Sequence, residues 1–214
     1  MPQLARDTEM MLRCIAIAAT AGKQGEFPFA ALVCEGDRVL VESTNQVARS
    51  GDVTRHAELV AVSTAQTLLG RKNLSGCTLY SNIEPCPMCS FPIRETRISR
   101  VAYAISSPIM GGLSRWNVLR DATISDVMPE AFGPVPEVIA GLCRREAEKV
   151  WWTSNPIAWM VIKHRGCFGD GTEPEALESA LDQMPALPGR GGWLRKLLTL
   201  HHYDRVPWRG RRRA

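Results

Sequence analysis

The sequence predicts an α/β fold in which helices cover both faces of a β-sheet. Short runs rich in apolar and β-branched residues alternate with longer segments whose apolar residues recur at helical spacing, in the order αββαβαβ. Turn-forming residues separate these segments. Strands that alternate with helices of this length are typical of sheets buried on both faces.

The first half of the chain predicts a helix followed by a hairpin. Residues 7–21 open with helix-capping types and continue with helix formers until Gly22. Residues 27–34 and 38–43 are apolar runs, and Glu35-Gly36-Asp37 supplies turn chemistry between them. These two runs are therefore expected to pair as neighbouring strands.

The next predicted helix carries two candidate functional residues. Apolar residues recur at helical spacing over residues 54–69 until Gly70. His56 and Glu58 therefore fall in the first turn of this helix.

Three further strands complete the predicted sheet, and three further helices are predicted beside it. The strands are residues 77–81, 100–105 and 138–140, and the helices are residues 86–96, 114–121 and 141–152. Pro85 and Pro87 suit a helix start, because backbone N–H groups there lack intrahelical partners. Pro92 is expected to end or kink the helix about one turn after Cys89. Farther on, residues 172–183 and 193–200 are predicted helices.

Composition indicates an ordinary globular protein. The 214 residues suffice for a full core, and 45% are hydrophobic and 22% charged. The first residues lack the apolar region of a signal peptide, and no stretch approaches the roughly 18 apolar residues of a membrane span. Seven cysteines, an odd number, favour reduced thiols over a disulfide framework. We therefore expect a cytoplasmic protein with no membrane contact.

The positive charge is concentrated at the end of the chain. The net charge is +4, and five arginines lie in the last ten residues: Arg205, Arg209, Arg211, Arg212 and Arg213. Removing these five from the 26 basic residues leaves 21, against 22 acidic residues. The near-neutral remainder favours a solvated tail over a polyanion contact, since nucleic-acid enzymes usually also carry basic charge around their cleft.

Two short motifs carry the strongest functional signal, His56-Ala57-Glu58 and Pro85-Cys86-Pro87-Met88-Cys89. One imidazole and two thiolates are good zinc ligands, and three protein ligands leave a fourth tetrahedral position for water. Cys86 and Cys89 stand three apart at a predicted helix start, where the helix dipole favours thiolates. Glu58 is expected to transfer protons and leave the metal to the other three. This combination predicts a catalytic zinc site.

Other interpretations of these residues stay open. A C-x-x-C pair also forms thioredoxin-like redox centres, which do not need His56 and Glu58 upstream. A closed structural zinc site would use Cys77 or Glu58 as its fourth ligand and leave no place for water. The remaining cysteines are expected to be small buried apolar residues: Cys14, Cys34, Cys143 and Cys167.

At these motifs the chain resembles the cytidine and deoxycytidylate deaminase superfamily, particularly its guanine deaminase, cytosine deaminase and tRNA adenosine deaminase branches. The order H-x-E and then P-C-x-x-C is a signature of zinc nucleobase deaminases. Residues 28–33 are similar to the family's P-F-G-A strand, and residues 52–58 to its D-P-T-x-H-A-E motif. The resemblance covers about residues 8–152. It implies a three-layer αβα sandwich with a mixed central sheet of about five strands, assembled as a homodimer.

The resemblance also implies a domain organisation and residue roles. Residues 1–155 would form the zinc-dependent deaminase domain, residues 156–204 a C-terminal helical extension and residues 205–214 a basic tail. The implied zinc ligands are His56, Cys86 and Cys89, and Glu58 would shuttle protons. Asn45 would hydrogen-bond the substrate, and the backbone of Ala57 would hold a ring carbonyl or amide edge.

Departures from the family pattern bear on the substrate. Ala30 replaces the usual glycine, and residues 90–95 replace the usual small-residue helix. Trp116 and Arg115 lie where related enzymes place a substrate-side loop, so that the indole would stack on a base and the guanidinium would bind a carbonyl or phosphate. Core packing is the alternative role for Trp116.

The sequence thus predicts hydrolytic deamination of an amino-substituted nucleobase or nucleoside. A free guanine-like base is the first choice, because P-C-P-M-C resembles free-base enzymes more than the P-C-A-M-C common among tRNA editors. The alternative substrates are tRNA adenosine or single-stranded nucleic acid. A noncatalytic zinc-stabilised binding module is the interpretation from a different class.

Overall fold

The structure, a computed structural model, describes residues 3–169 as a five-stranded sheet flanked by helices. The strands are β1 (Ala30–Glu35), β2 (Arg38–Thr44), β3 (Cys77–Ile83), β4 (Arg100–Ile105) and β5 (Glu137–Ala140). The helices are α1 (Gln3–Lys23), α2 (Val47–Ser50), α3 (Ala57–Leu69), α4 (Pro87–Glu95), α5 (Ala122–Val127), α6 (Arg144–Ser154) and α7 (Pro156–His164). The predicted α/β sandwich is confirmed.

The sheet is mixed, with strand order β2-β1-β3-β4-β5. Strand β1 runs antiparallel to both β2 and β3, whereas β3, β4 and β5 are parallel. Parallel pairing sets Ile83 opposite Ile105 at the carboxyl ends of β3 and β4. The segments that follow these two strands therefore begin side by side, and one of them carries both motif cysteines.

The core has two layers, one on each face of the sheet. Adjacent residues of β3 point to opposite layers, with Tyr80 in the layer that holds Trp151 of α6 and Leu79 in the layer that holds Ala61 of α3 and Ile93 of α4. All five side chains are at most 2% exposed. Burial on both faces explains why β3 is apolar along most of its length.

Helix α1 begins four residues before the predicted start, because Asp7 does not cap it. Asp7 is buried in the second turn and accepts hydrogen bonds from other side chains. The helix also continues through Gly22, where an added Cβ would lie 2.4 Å from Oγ of Ser154. That glycine therefore serves the close approach of α6 and does not end α1.

The predicted helix at residues 114–121 is wrong, since this segment forms turns and the helix of the region is α5. Asp121 caps α5 by accepting a hydrogen bond from the backbone N–H of Thr123 at 2.9 Å. Pro92 does not end its helix, which continues for three more residues to Glu95.

The predicted helices at 172–183 and 193–200 and the predicted tail at 205–214 lie outside the described residues. The predicted extension at 156–204 lies partly outside them. Helix α7 lies within the predicted extension, and its Trp159 packs in the same core as Trp151. The division of the chain at residue 155 stays a prediction. In the described part of the chain, no helix combines the length and apolarity needed to cross a membrane.

A buried ion pair joins α1 to the sheet. The Asp7 carboxylate is 1% exposed and accepts hydrogen bonds from Arg100 at 2.9 and 3.1 Å, from Tyr80 Oη at 2.6 Å and from Gln3 at 3.0 Å. Burial alone would raise the pKa of Asp7, but these bonds outweigh burial and lower it. Because its pKa is lowered, ionised Asp7 stabilises the fold at any pH above the ordinary Asp pKa of about 3.9. This stabilisation is lost as the pH falls through the pKa of Asp7 in the folded protein.

We expect Asp7→Asn to lower the free energy of unfolding by about 3 kcal/mol at neutral pH, because it leaves the mostly buried Arg100 guanidinium poorly paired. Urea unfolding at several pH values measures this, and the deficit relative to wild type should shrink below pH 4. Glu137→Gln is the matched control. It removes the other carboxylate that pairs with Arg100. Because the Glu137 side chain is 61% exposed, its loss should lower the free energy of unfolding by less than about 1 kcal/mol. An equal effect of both variants would contradict the assignment.

Candidate metal and substrate site

Two helix N-termini bring the motif residues together. His56 is the N-cap of α3 and Cys86 the N-cap of α4, and both have extended backbone conformations. Neither side chain caps its own helix, so both are available to other partners. Cys89 lies in the first turn of α4, where it faces the same point as Cys86. The structure thus unites the three predicted ligands, which lie far apart in the sequence.

The distances within this group fit a tetrahedral metal ion. The two sulfurs are 3.6 Å apart, and His56 Nδ1 lies 3.6 Å from Cys86 Sγ and 3.5 Å from Cys89 Sγ. A tetrahedral zinc with Zn–S near 2.3 Å and Zn–N near 2.0–2.1 Å separates two sulfurs by about 3.8 Å and sulfur from nitrogen by about 3.6 Å. The donor types and their separations therefore suit zinc without rearrangement.

The pKa values of the two cysteines are shifted in opposite directions. A hydrogen bond from the Cys89 thiol, assisted by His56, lowers the pKa of Cys86 to about 4. The same hydrogen bond, together with burial, raises the pKa of Cys89. The hydrogen bond with Cys86 also raises the pKa of His56. A dication at this point stabilises both thiolates, since a coordinating thiol is deprotonated outright.

Glu58 lies beside the three predicted ligands in a buried position. Its carboxylate is 7% exposed, and Oε2 lies 3.6 Å from Cys89 Sγ. Ser81 of β3 donates a hydrogen bond to Oε1 at 2.9 Å and so fixes the carboxylate. Burial raises the pKa of Glu58, which suits a group that must both accept and release a proton.

Cys77 is too distant to close the site. It begins β3, whereas Ser81 beside Glu58 lies four residues along the same strand. The donor atoms of the metal-ligating group belong to His56, Cys86 and Cys89. The fourth-ligand role for Cys77 is therefore wrong. Of the cysteines expected to be buried, Cys14 and Cys34 are, while Cys143 and Cys167 are only partly buried.

A cavity of about 310 Å³ opens above these residues. Asn45 and Ala57, the two substrate contacts that the resemblance implies, both line it together with His56, Glu58 and Cys86. Ligand sites of about 300–1,000 Å³ are common for small molecules, so this cavity suits a compact ligand. Asn45 is 6% exposed, and its amide nitrogen lies 3.2 Å from Oε2 of Glu26, which holds the side chain in place.

Sequence reasoning missed most of the cavity wall. The unpredicted lining residues include Phe27, Phe29, Glu84, Ser107 and Phe168. Three of them are aromatic and provide flat apolar surfaces suited to a ring. Of these, Glu84 could have been found from the sequence, because it is an acidic residue directly before the Pro85-Cys86 motif.

The other two predicted substrate residues lie outside the cavity lining. Trp116 is 59% exposed, which excludes the alternative that it packs in the core. The Arg115 guanidinium lies 5.6 Å from the centre of the Trp116 ring, as in a cation–π pair. Their contact with substrate stays a prediction.

One imidazole and two cysteine sulfurs beside a buried glutamate, on a mixed α/β sandwich, are typical of the zinc-dependent deaminases. Comparison with known proteins agrees. Residues 4–105 match the model described as the cytidine and deoxycytidylate deaminase zinc-binding region. The chain is also 32% identical over 121 residues to a tRNA-specific adenosine deaminase of Aquifex aeolicus, covering 56% of this chain and 80% of that protein. The chain belongs to the cytidine and deoxycytidylate deaminase family.

Other relatives differ in what they act on. A guanine deaminase of Bacillus subtilis is 40% identical over 77 residues, which cover 36% of this chain and 49% of that protein. A tRNA(Ile)-lysidine synthase of Deinococcus deserti is 35% identical over 141 residues, or 65% of this chain. The chain spans only 25% of that relative's length. Membership of the family therefore leaves several substrates open.

Among solved structures, one from a study of A-to-I editing by tRNA:A34 deaminases aligns with 30% identity and a TM-score of 0.57, covering 64% of this chain and 94% of that chain. The shared fold therefore extends over nearly the whole of the solved chain.

Proposed function

We propose that the protein catalyses hydrolytic deamination of an amino-substituted nucleobase or nucleoside, with a free guanine-like base as first choice, and releases ammonia. One observation carries the proposal. His56, Cys86 and Cys89 converge at tetrahedral distances, and Glu58 stands beside them at the wall of a cavity large enough for a compact ring.

Different side chains would bind the metal, transfer protons and position the substrate. Zinc, when bound by His56, Cys86 and Cys89, supplies an activated water as the nucleophile. Glu58 accepts the proton of that water at a carboxylate oxygen and passes it to a ring nitrogen of the substrate. Glu58 would then accept the second proton from the hydroxyl added to the ring carbon and pass it to the amine, which leaves as ammonia as the C–N bond breaks and the carbonyl forms. Asn45 and the backbone of Ala57 hold the ring edge during these transfers.

A small substrate is favoured by the cavity and the charge distribution. The cavity wall is largely aromatic and apolar, with Phe27, Phe29 and Phe168 in its lining. The basic charge of the chain is concentrated in residues 205–214, and the rest is close to neutral. A polynucleotide would be bound mainly through its phosphates and would favour basic charge near the cavity.

Adenosine in tRNA is the second candidate. The tRNA-specific relative from Aquifex aeolicus aligns over 80% of its own length, a larger share than the guanine deaminase relative. The exposed Trp116 and Arg115 would then contact a nucleotide next to the reacting base. Assembly as a homodimer stays a prediction, which sedimentation velocity of the zinc-loaded protein would test.

The proposal is tested by ammonia release from zinc-loaded protein. The substrates are guanine, cytosine, adenine, their nucleosides and a tRNA anticodon stem-loop, and the control is Glu58→Ala. Turnover of a free base or nucleoside that is absent in the variant would support the first choice. Turnover of the stem-loop alone would support the tRNA candidate. Silence on every substrate would count against deamination and revive the binding-module interpretation.

Removal of residues 205–214 is expected to separate the two candidates. If the substrate is a tRNA, loss of five arginines should lower kcat/KM and make it less dependent on salt, because fewer counterions are released on binding. If the substrate is a free base, kcat/KM should not change. Measurement at two or more salt concentrations, with the full chain as control, distinguishes these results. A salt-dependent loss with a free base would contradict both expectations.

A further inference from the structure

The segment after β4 is tied to one buried carboxylate. Glu84 follows β3, is 3% exposed and lines the cavity. Its Oε2 accepts hydrogen bonds from the backbone N–H of Ser107 at 2.7 Å and from Ser114 Oγ at 2.6 Å. Its Oε1 accepts from the backbone N–H groups of Leu113 at 2.9 Å and Ser114 at 2.6 Å. The four bonds clamp both ends of residues 107–114, which we call the wall loop.

The wall loop forms part of the substrate cavity. Ser107 and Met110 both line it, on the same loop that Glu84 holds. The backbone N–H of Gly112 also donates to the carbonyl oxygen of Pro85 at 2.8 Å. The loop is therefore attached directly to the segment that precedes Cys86, and its position is set relative to the predicted metal ligands.

Two glycines allow this close contact. A Cβ added at Gly111 would lie 2.1 Å from Oε1 of Glu84, and one added at Gly112 would lie 1.9 Å from Oγ of Ser90. Neither glycine has a positive φ, so absence of a side chain, and not backbone conformation, is what these positions require. Gly111 thus makes room for the carboxylate, and Gly112 lets the loop approach Ser90 of α4.

Only a carboxylate satisfies all four donors. Both of its oxygens are acceptors, whereas the amide of glutamine would turn an NH₂ group toward N–H or O–H donors. A buried donor that loses its partner is destabilised, so the loop would shift to find another acceptor. The interaction therefore depends on charge and acceptor number as well as on side-chain size.

We propose that Glu84 is a positioning residue for deamination, which holds the wall loop in place so that the cavity is preformed around the substrate ring. This inference rests on the proposed function. Glu84 acts through the loop and not on the reacting atoms. Displacement of such a wall by about 1 Å is enough to lower the rate about 10²-fold.

The test compares Glu84→Gln and Glu84→Gly with wild type in zinc-loaded protein, with Glu95→Gln as matched control. Glu95 is exposed on α4, which carries Cys89. We expect Glu84→Gln to lower kcat/KM about 10²-fold at unchanged zinc content, and Glu95→Gln to leave it unchanged. Amide hydrogen exchange in residues 107–114 should become faster in both Glu84 variants. Formate should restore slow exchange and part of the activity in Glu84→Gly, because it can replace the lost carboxylate.

Three results would overturn the inference. The first is Glu84→Gln with wild-type exchange in the wall loop. The second is faster exchange with unchanged kcat/KM, and the third is loss of zinc, which would give Glu84 a structural role at the metal site. Failure of the proposed function itself is recognised separately, since wild type would then turn over no substrate while the exchange measurement still decides whether Glu84 holds the loop.

Discussion

Glu58→Gln is expected to lower turnover by about 10³-fold or more while the zinc content stays at the wild-type level. Glutamine keeps the size of the side chain and can still accept the hydrogen bond that Ser81 donates to Oε1. It cannot accept and release a proton at the Oε2 position near Cys89. General acid–base groups contribute typically 10²–10⁴-fold to rate, and Glu58 would serve in more than one proton transfer.

The measurement is steady-state ammonia release together with zinc content by mass spectrometry. Ser81→Ala is an informative control, because it removes the hydrogen bond to Glu58 and leaves the carboxylate in place. Its effect should be about tenfold, the size expected from loss of one orienting hydrogen bond. Full activity of Glu58→Gln would rule out its acid–base role. Loss of zinc in that variant would instead make Glu58 a ligand and favour a closed structural site.

The cluster of His56, Cys86 and Cys89 was partly predictable, because each of its two motifs has a local signal. Cys86 and Cys89 are three apart at a helix start, and His56 directly precedes a helix in which apolar residues recur at helical spacing. The unpaired N–H groups and the dipole of a helix N-terminus favour thiolates, which are the form of cysteine that binds a metal. What the sequence lacked was the distance between the two helices, which is set by the sheet. The convergence of the two motifs followed from the resemblance, and the structure supplies the separations between the donor atoms.

The cavity wall was not predictable in the same way. Phe168 reaches it from beyond α7, more than 100 residues after His56, and no periodicity connects the two. Helix α7 itself did have a signal, since Asn155 precedes Pro156 and caps the helix by accepting a hydrogen bond from Ala158 N–H at 2.9 Å.

The wrong helix at residues 114–121 has a physical cause. Backbone N–H groups of Leu113 and Ser114 bind the Glu84 carboxylate, and Asn117 has a positive φ of 54°, which an α-helix does not accommodate. Residue types in this segment permit a helix, but the left-handed conformation of Asn117 interrupts one, and the Glu84 contacts of residues 113 and 114 hold the segment in turns. Tertiary contacts of this kind override local propensity.

Cys86→Ala is expected to abolish stoichiometric zinc binding and to destabilise the folded protein. The variant keeps only His56 and Cys89 of the three donors, and metal that binds the native state adds to the free energy of unfolding. At free zinc about 1,000 times the dissociation constant, the contribution lost is about 4 kcal/mol. Thermal unfolding with and without a chelator measures it. Wild type should be destabilised by the chelator, whereas the variant should unfold at the same lower temperature in both conditions.

Cys34→Ala provides the matched control for this prediction. Cys34 is a buried cysteine on β1 outside the metal-ligating group, so the same change should cost only the packing of one sulfur, about 1 kcal/mol. Its zinc content and its response to the chelator should match wild type. One zinc per chain in Cys86→Ala would remove Cys86 from the ligand set. A chelator effect of equal size in wild type and Cys86→Ala would place the metal elsewhere, and the tetrahedral distances around His56 would then need another explanation.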